Sequence, residues 1–202
     1  MTWRCRGDRG QAFPIYVAMV AFLLFLAFSF FAVGKASVLR NESQSAADAA
    51  ALAAAQSARD DFGAGFYASL LKDTLNLFLD ESFAPPCYEA QRLAAANDAD
   101  SVLCVPTSGY LRDRVTVEVE GRAPVDSPVV PGTERRFAKA KATALVEFRC
   151  PRPKAVDSDG DGVQDLFTFT CSNGEILEIT PDDAPPWETV SRTLFDVRLV
   201  DQ

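Results

Sequence analysis

The sequence predicts an α+β protein with one long N-terminal helix followed by a small antiparallel β-sheet domain. Residues 13–33 form an uncharged apolar run, and residues 35–61 form an alanine-rich stretch without proline or glycine. Several later segments alternate apolar and polar residues, which is the pattern of half-buried strands. A helical first part followed by strands is typical of the α+β class.

The apolar run, FPIYVAMVAFLLFLAFSFFAV, predicts a membrane span. A helix needs about 20 apolar residues to cross a hydrocarbon core of roughly 30 Å. A buried helix of a soluble protein would show a polar face, whereas this run offers only Tyr16 and Ser29. The alternative is a secretory signal cleaved near Gly34, although the apolar region of a signal spans only about 7–15 residues.

The charges that flank the run predict its orientation. Three arginines against one aspartate make the tail basic, and the positive-inside rule keeps such a tail in the cytoplasm. We therefore expect a single-pass protein of the cell membrane, surrounded by lipid, with its C-terminal part outside the cytoplasm. The chain divides into a tail (1–12), a transmembrane helix (13–34), an exported alanine-rich helix (35–62) and an extracytoplasmic α+β domain (63–202).

Charge and composition exclude several classes of function. The part beyond Gly34 holds 17 Lys+Arg against 27 Asp+Glu, a net charge of −10, which argues against nucleic acid or anionic lipid as a partner of that part. The chain has no histidine, which excludes Ser-His-Asp and Cys-His catalysis and histidine-ligated metals. We therefore expect no enzymatic activity.

The alanine-rich stretch extends the membrane helix outward. Alanine is the best helix former, so residues 13–59 predict one helix of roughly 70 Å at 1.5 Å per residue. We expect Gly63-Ala-Gly65 to end it. Its small residues favour close packing against another helix, such as one of a partner subunit. The alternative is a helix that is stable without a partner. The predicted packing residues are Ala46, Ala47, Ala50, Ala51 and Ala54.

The N-terminal part of the chain resembles the bacterial TadE/TadG-like family. The resemblance lies in a basic tail ending in Arg9-Gly10, an apolar span and the string QSAADAAALAAA at 44–55. Those proteins are membrane-anchored and associated with assembly of Flp (tight-adherence) type IV pili. The resemblance covers about residues 8–60. It implies a structural or interaction role and binding to other pilus-assembly or pilin-like subunits through the N-terminal helix. The predicted helix-plus-sheet arrangement is also the general plan of pilin-like subunits.

The same resemblance raises the question of processing. Type IV prepilins are cut after a glycine that follows a basic leader, and Gly10 resembles that glycine, which would leave Gln11 as the new N-terminus. Processed members usually carry glutamate at the fifth position after the cut, where this chain has Ile15. The comparison favours the unprocessed, TadG-like branch. A minor pilin (pseudopilin) cut after Gly10 and incorporated in a filament is the alternative.

Downstream of the long helix, the apolar spacing of residues 66–82 predicts an amphipathic helix that ends before Pro85-Pro86. A short helix is predicted at 88–96, with a polar exit at 97–101. Residues 114–123 and 137–149 alternate and predict an antiparallel hairpin. Strands at 166–171 and 175–180 flank Asn173-Gly174, a type I′ turn signal. A closing strand at 194–200 completes a sheet of about five strands.

Four cysteines lie in the exported part and suggest two disulfides, with three possible connectivities. Sequential pairing, Cys87–Cys104 and Cys150–Cys171, is favoured because each pair closes a short, turn-rich loop. Four buried free thiols are the alternative.

The string DSDGDGVQD at 157–165 predicts a calcium site. Ca²⁺ takes six to eight oxygen ligands, and alternating aspartates bring their carboxylates around one point. The string begins like an EF-hand loop but has Thr168 at the twelfth position in place of glutamate. It more closely resembles the calcium loops of thrombospondin type 3 repeats. The predicted ligands are Asp157, Asp159, Asp161, the Val163 carbonyl and Asp165.

The calcium would be structural, stabilising the loop between Cys150 and Cys171. A solvated acidic turn without metal is the alternative reading of the string. A different class of function, a calcium-dependent surface adhesin or binding domain on a signal anchor, also fits these features.

Overall fold

The computed structural model describes residues 12–80, 85–109, 111–126, 131–151 and 153–201. Its first element is a single helix, α1 (Ala12–Leu71), of 60 residues. At 1.5 Å per residue this helix is about 90 Å long. The predicted continuity from the apolar run into the alanine-rich stretch is confirmed.

The predicted helix end at Gly63-Ala-Gly65 is wrong, because α1 runs through both glycines. A Cβ at Gly63 would lie 2.6 Å from Cγ of Trp187, and one at Gly65 would lie 2.6 Å from Cε2 of Phe78. The two glycines therefore make room for aromatic rings that pack on the helix.

The helix ends instead at Leu71 in a Schellman motif. The Thr74 N–H donates to the Ser69 carbonyl at 2.9 Å, and the Asp73 N–H donates to the Leu70 carbonyl at 3.3 Å. Asp73 takes the left-handed conformation that this motif requires, with φ 51°. The amphipathic helix predicted at 66–82 is therefore divided between the end of α1 and a short helix α2 (Leu75–Asp80).

The short helix predicted at 88–96 is confirmed as α3 (Cys87–Ala96). The polar exit predicted at 97–101 is wrong in part, since a strand β1 (Ala99–Thr107) begins there. This strand lies at the edge of the sheet and is largely exposed, so its sequence lacks the regular alternation of a half-buried strand.

The larger sheet contains four strands in the order β1-β2-β3-β7, all antiparallel. The hairpin of β2 (Arg112–Pro124) and β3 (Phe137–Phe148) is confirmed, and β7 (Phe195–Val200) is the predicted closing strand. Alternate residues of β2, including Val115, Val117 and Val119, are buried beneath α1.

A second sheet shares no paired strand with the first. Its three strands are β4 (Lys154–Val156), β5 (Leu166–Thr170) and β6 (Ile176–Ile179). The part of the chain that the structure describes thus has seven strands in two sheets instead of about five in one. The chain returns to β7 through a 3₁₀ turn (Pro181–Asp183) and α4 (Trp187–Leu194).

The turn between β5 and β6 is not of type I′. Gly174 has φ 87°, whereas Asn173 is not among the residues with positive φ, and type I′ requires both. The Gly174 N–H donates to the Cys171 carbonyl at 3.0 Å, and the Cys171 N–H donates to the Glu175 carbonyl at 2.9 Å. These bonds define a three-residue loop with glycine in the left-handed position, a common hairpin connection.

The α+β fold class is confirmed. The part of α1 that follows the apolar run packs on β2 and β3 and against α3, so the alanine-rich segment is the centre of the core. At the far end of α1, the rings of Phe66, Tyr67, Phe169, Phe195 and Trp187 pack together.

Gly63→Ala tests the close approach of Trp187 to α1. Overpacking a tight site costs about 1–3 kcal/mol, and a ring held at 2.6 Å must move. We expect the melting temperature of the full chain in detergent to fall by about 2–12 °C, at 2–4 °C per kcal/mol. Gly34→Ala is the matched control, because a Cβ there meets nothing within 4 Å. A Gly63→Ala protein at least as stable as the wild type would contradict this packing.

Candidate functional site

The apolar run is the most exposed part of α1. Apart from Leu26, which is partly buried, the large side chains from Phe13 to Val33 are more than half exposed, with Phe30 at 76%. No part of the most apolar window is covered by the rest of the described chain, which contains one helix long and apolar enough to cross a membrane. A run of exposed phenylalanines and leucines would be unfavourable in water, so this half of α1 requires an apolar environment.

The alanine face of α1 is buried within its own chain. Ala46, Ala47, Ala50, Ala51 and Ala54 each have no exposed surface, and all five belong to the hydrophobic core. Their neighbours are the strands β2 and β3 and the helix α3. The expectation that this face packs on a partner's helix is therefore corrected. The surfaces of small residues on α1 fit closely against the chain's own sheet, which already covers them.

Three hydrogen bonds hold residues 35–44 of α1, just after the apolar run, to the domain. Ser43 Oγ donates to the Ala138 carbonyl at 3.4 Å, and Gln44 Nε2 donates to the Lys141 carbonyl at 3.4 Å. Lys35 Nζ donates to the Asp126 carbonyl at 3.2 Å. Lys35 lies about 3 Å beyond Val33 along the helix axis, so the domain begins where the apolar run ends.

The sequential disulfide pairing is confirmed as Cys87–Cys104 and Cys150–Cys171. The first bond joins α3 to the edge strand β1. The second closes a segment of 21 residues that contains β4, the aspartate string and β5. Each bond therefore connects a peripheral part of the domain to its core.

The aspartate string forms the loop of the β4–β5 hairpin. Val156 and Leu166 are the last paired residues, and the Asp165 N–H donates to the Val156 carbonyl at 2.8 Å. Gly160 and Gly162 both have positive φ, 79° and 89°, which favours glycine at these two positions. The two glycines let nine residues turn tightly between short strands.

The carboxylates of this loop accept hydrogen bonds from its backbone. The Gly160 and Gly162 N–H groups donate to the two oxygens of Asp157 at 2.7 and 3.0 Å. Asp165 accepts from the Ser158 N–H at 2.7 Å, and Asp159 accepts from the Asp161 N–H at 3.1 Å. The loop is therefore folded around its own aspartates.

Three of the four predicted carboxylate ligands come together. Asp157, Asp159 and Asp165 each place an oxygen within 4.8 Å of the others. Within this fully described loop, Asp161 is outside the group, and its carboxylate accepts the Val163 N–H at 2.7 Å. Val163 lies in the exposed part of the loop, and Thr168 pairs with Lys154 within the sheet. An EF-hand arrangement closed from the twelfth position is therefore not formed.

Hydrogen bonding favours a charged Asp157. The N–H donors of Gly160 and Gly162 hold the pKa of the Asp157 carboxyl below its ordinary value. This carboxylate is therefore ionised at neutral pH. The group as a whole presents oxygen donors only, which suits a hard cation such as Ca²⁺ or Mg²⁺.

One residue that organises this region was missed by sequence reasoning. Arg149 donates through Nη2 to the carbonyls of Arg192 at 2.8 Å, Thr193 at 3.3 Å and Phe195 at 3.4 Å. The guanidinium thus satisfies the C-terminal end of α4 next to Cys150. A lone arginine in an alternating strand carries no sequence signal for this role.

Comparison with known proteins adds one finding. Residues 10–57 match the model of a family described as putative Flp pilus-assembly TadE/G-like. The TadE/G-like segment covers about a quarter of the chain and corresponds to the apolar run and the alanine face that lies on the sheet. No curated protein and no solved structure gave a match.

Proposed function

We propose that the chain is a membrane-anchored component of Flp-type pilus assembly, with a structural and interaction role instead of an enzymatic one. The observation that carries the proposal is the TadE/G-like match over residues 10–57. The described residues of that segment, 12–57, lie within a single helix whose first part is exposed and apolar and whose later part belongs to the core of the domain.

The proposed orientation places the N-terminus in the cytoplasm and the domain outside. The arginines before the apolar run support this side for the tail. Two disulfides fit an oxidising compartment for the domain. The absence of histidine from the chain supports a role without acid–base catalysis.

The proposed partners are lipid and other pilus-assembly or pilin-like subunits, bound through the exposed part of α1. The buried alanine face is already in contact with the sheet, so the apolar run is the large apolar surface of this helix that remains accessible. Packing between helices in a membrane depends on close van der Waals contact, which an exposed apolar helix offers along its length.

A photo-crosslinking amino acid tests this partner surface in cells that assemble Flp pili. We expect incorporation at Phe22 or Phe30, which are 60% and 76% exposed, to crosslink the chain to pilus-assembly subunits. Incorporation at Ile176 in the second sheet, which is 66% exposed, is the matched control and should give no such product. The measurement is mass spectrometry of the crosslinked species. Lipid adducts alone at Phe22 and Phe30, with piliation unchanged on deletion of the chain, would refute the proposal.

A minor pilin incorporated in the filament is the second candidate. A long helix, exposed in its first half and packed on an antiparallel sheet in its second, is also the plan of pilin-like subunits. Gly10 and Gln11 lie outside the described residues. Sheared pili that contain this chain with Gln11 as its N-terminus would favour the minor pilin over an assembly component that keeps its tail.

We also propose that the aspartate loop binds a structural Ca²⁺ ion. Asp157, Asp159 and Asp165 would supply carboxylate oxygens, and water and backbone carbonyls, including that of Val163, would complete six to eight ligands. The Asp161 carboxylate would also bind the ion after it loses its hydrogen bond from the Val163 N–H. The ion would neutralise a loop with four carboxylates in nine residues.

Thermal unfolding with and without calcium tests this site. A ligand at a hundredfold excess over Kd stabilises a protein by about 2.7 kcal/mol, which corresponds to roughly 5–10 °C for a domain of this size. Extracellular calcium modules bind at about 10⁻⁴–10⁻³ M, so the titration extends to tens of millimolar. We expect Asp159→Asn with Asp165→Asn to abolish the shift, while each amide oxygen preserves an acceptor for the loop.

Asp182→Asn with Asp183→Asn is the matched control, because these carboxylates belong to the separate 3₁₀ turn. The control should keep the full calcium shift. Identical melting temperatures of the wild type in a chelator and in excess calcium would contradict the calcium site. The aspartate string would then be a solvated acidic turn without metal.

A further inference from the structure

The two edges of the larger sheet differ in how well they are protected. β1 forms one edge, and it contains Pro106 and a register irregularity between Ser101 and Leu103. A disulfide also joins this edge to α3 through Cys104. Proline lacks an N–H and a bulge interrupts pairing, so such features keep a further strand from adding to an edge. Within β7, which forms the other edge, there is no proline and the register with β3 is regular.

The backbone of β7 shows which of its groups point away from β3. The N–H of Arg149, just after β3, donates to the Leu194 carbonyl at 2.8 Å. The N–H of Phe195 belongs to the same trans peptide as that carbonyl, so it points the opposite way. Phe195 is extended, with φ −117° and ψ 143°, and successive residues of a strand alternate in direction. Val197 and Leu199 therefore direct their N–H and C=O groups away from β3.

Val197 and Leu199 present an open backbone edge. On that side neither residue has a backbone hydrogen bond among the residues that the structure describes. The Phe195 N–H is already used, because it donates to the Ser191 carbonyl at the end of α4. Val197 packs against the core, and Leu199 is 39% exposed. The edge thus offers two donors and two acceptors next to apolar side chains, which are the contacts that an added β-strand uses.

The charges along this edge indicate what kind of strand would fit. The Arg198 guanidinium is already paired with two carboxylates of its own chain, so no charge is required opposite the middle of β7. At the end of β7 lies a cavity of about 560 Å³, whose charged lining residues are Asp48, Lys141 and Asp201. Two carboxylates against one ammonium group favour a basic side chain at this end of an added strand.

A second copy in the same membrane offers no antiparallel strand for this edge. Gln44 bonds to Lys141 near the end of β7, whereas Phe62 packs on Phe195 at its start. The strand β7 therefore runs towards the apolar run, opposite in direction to α1. Two β7 strands paired antiparallel would point their apolar runs in opposite directions, and the β1 edge is protected by its proline and bulge. The added strand must come from a different chain.

We propose that the β7 edge binds an extended segment of a different pilus-assembly subunit, which adds a fifth strand to the sheet. The proposal rests on the function proposed above and specifies how a partner binds the domain in addition to the apolar run. The segment pairs with Val197 and Leu199 in the antiparallel orientation of every other pair in this sheet. It places apolar residues beside these two side chains and a lysine or arginine near Asp48 and Asp201.

Hydrogen exchange at single-residue resolution tests the proposal on the complex captured by the photo-crosslinker in the apolar run. The exchange rates are compared with those of the full chain alone in detergent. One added backbone hydrogen bond corresponds to about a tenfold change in rate. We therefore expect the Val197 and Leu199 amides to exchange about tenfold more slowly in the complex. The Arg198 and Val200 amides should be unchanged, because they point towards β3.

Leu199→Lys should remove the slower exchange at Val197, because lysine on an edge strand opposes strand pairing. Leu103→Lys is the matched control, since Leu103 lies on the β1 edge and is 46% exposed. This control should keep the slower exchange at both β7 amides.

Three results would overturn the inference alone while the crosslink still supports the assembly role. They are equal rates in the free and captured chain, uniform protection of residues 196–200, and protection that survives Leu199→Lys. A captured complex that contains only further copies of this chain would overturn the choice of partner. Absence of any crosslink to a pilus-assembly subunit would refute the proposed function and this inference together.

Discussion

The packing of the alanine face of α1 on β2 and β3 is the contact on which the rest of the structure depends. Seven alanines between Ala46 and Ala58 are buried there and bring the helix close to the inward-facing valines of β2. The same helix carries the apolar run without a break. The apolar run and the core are therefore parts of one continuous helix, and no loop separates the apolar run from the domain.

This arrangement explains why the TadE/G-like match ends within the helix. The matched residues 10–57 contain the apolar run and most of the alanine face, the parts with the narrowest chemical requirements. The apolar run must be apolar throughout, and the side chains of the alanine face must be small enough for the sheet to approach the helix. Outside the matched residues, one disulfide joins α3 to the edge strand β1, and the other joins Cys150, which follows β3, to Cys171, which follows β5.

The sequence predicted the elements whose signal is local. The apolar run, the hairpin of β2 and β3 and the cysteine pairs follow from periodicity and spacing. Two of the wrong predictions depend on contacts between distant residues. Gly63 indicated a helix end, whereas the structure uses it to make room for the ring of Trp187. This contact was not predicted because Trp187 is more than a hundred residues away in the sequence. The alanine face indicated a partner helix because the sheet that covers it could not be foreseen from alanines alone.

The distance between spin labels on the two halves of α1 measures the continuity of the helix directly. Labels at positions Phe30 and Gln56, in a Cys5→Ser background with both disulfides intact, would lie on either side of Gly34 on exposed parts of the helix. A continuous helix predicts a narrow distribution near 39 Å between the two backbone positions, from 26 residues at about 1.5 Å each. A broad or markedly shorter distribution in lipid would place a hinge at Gly34 and contradict the account.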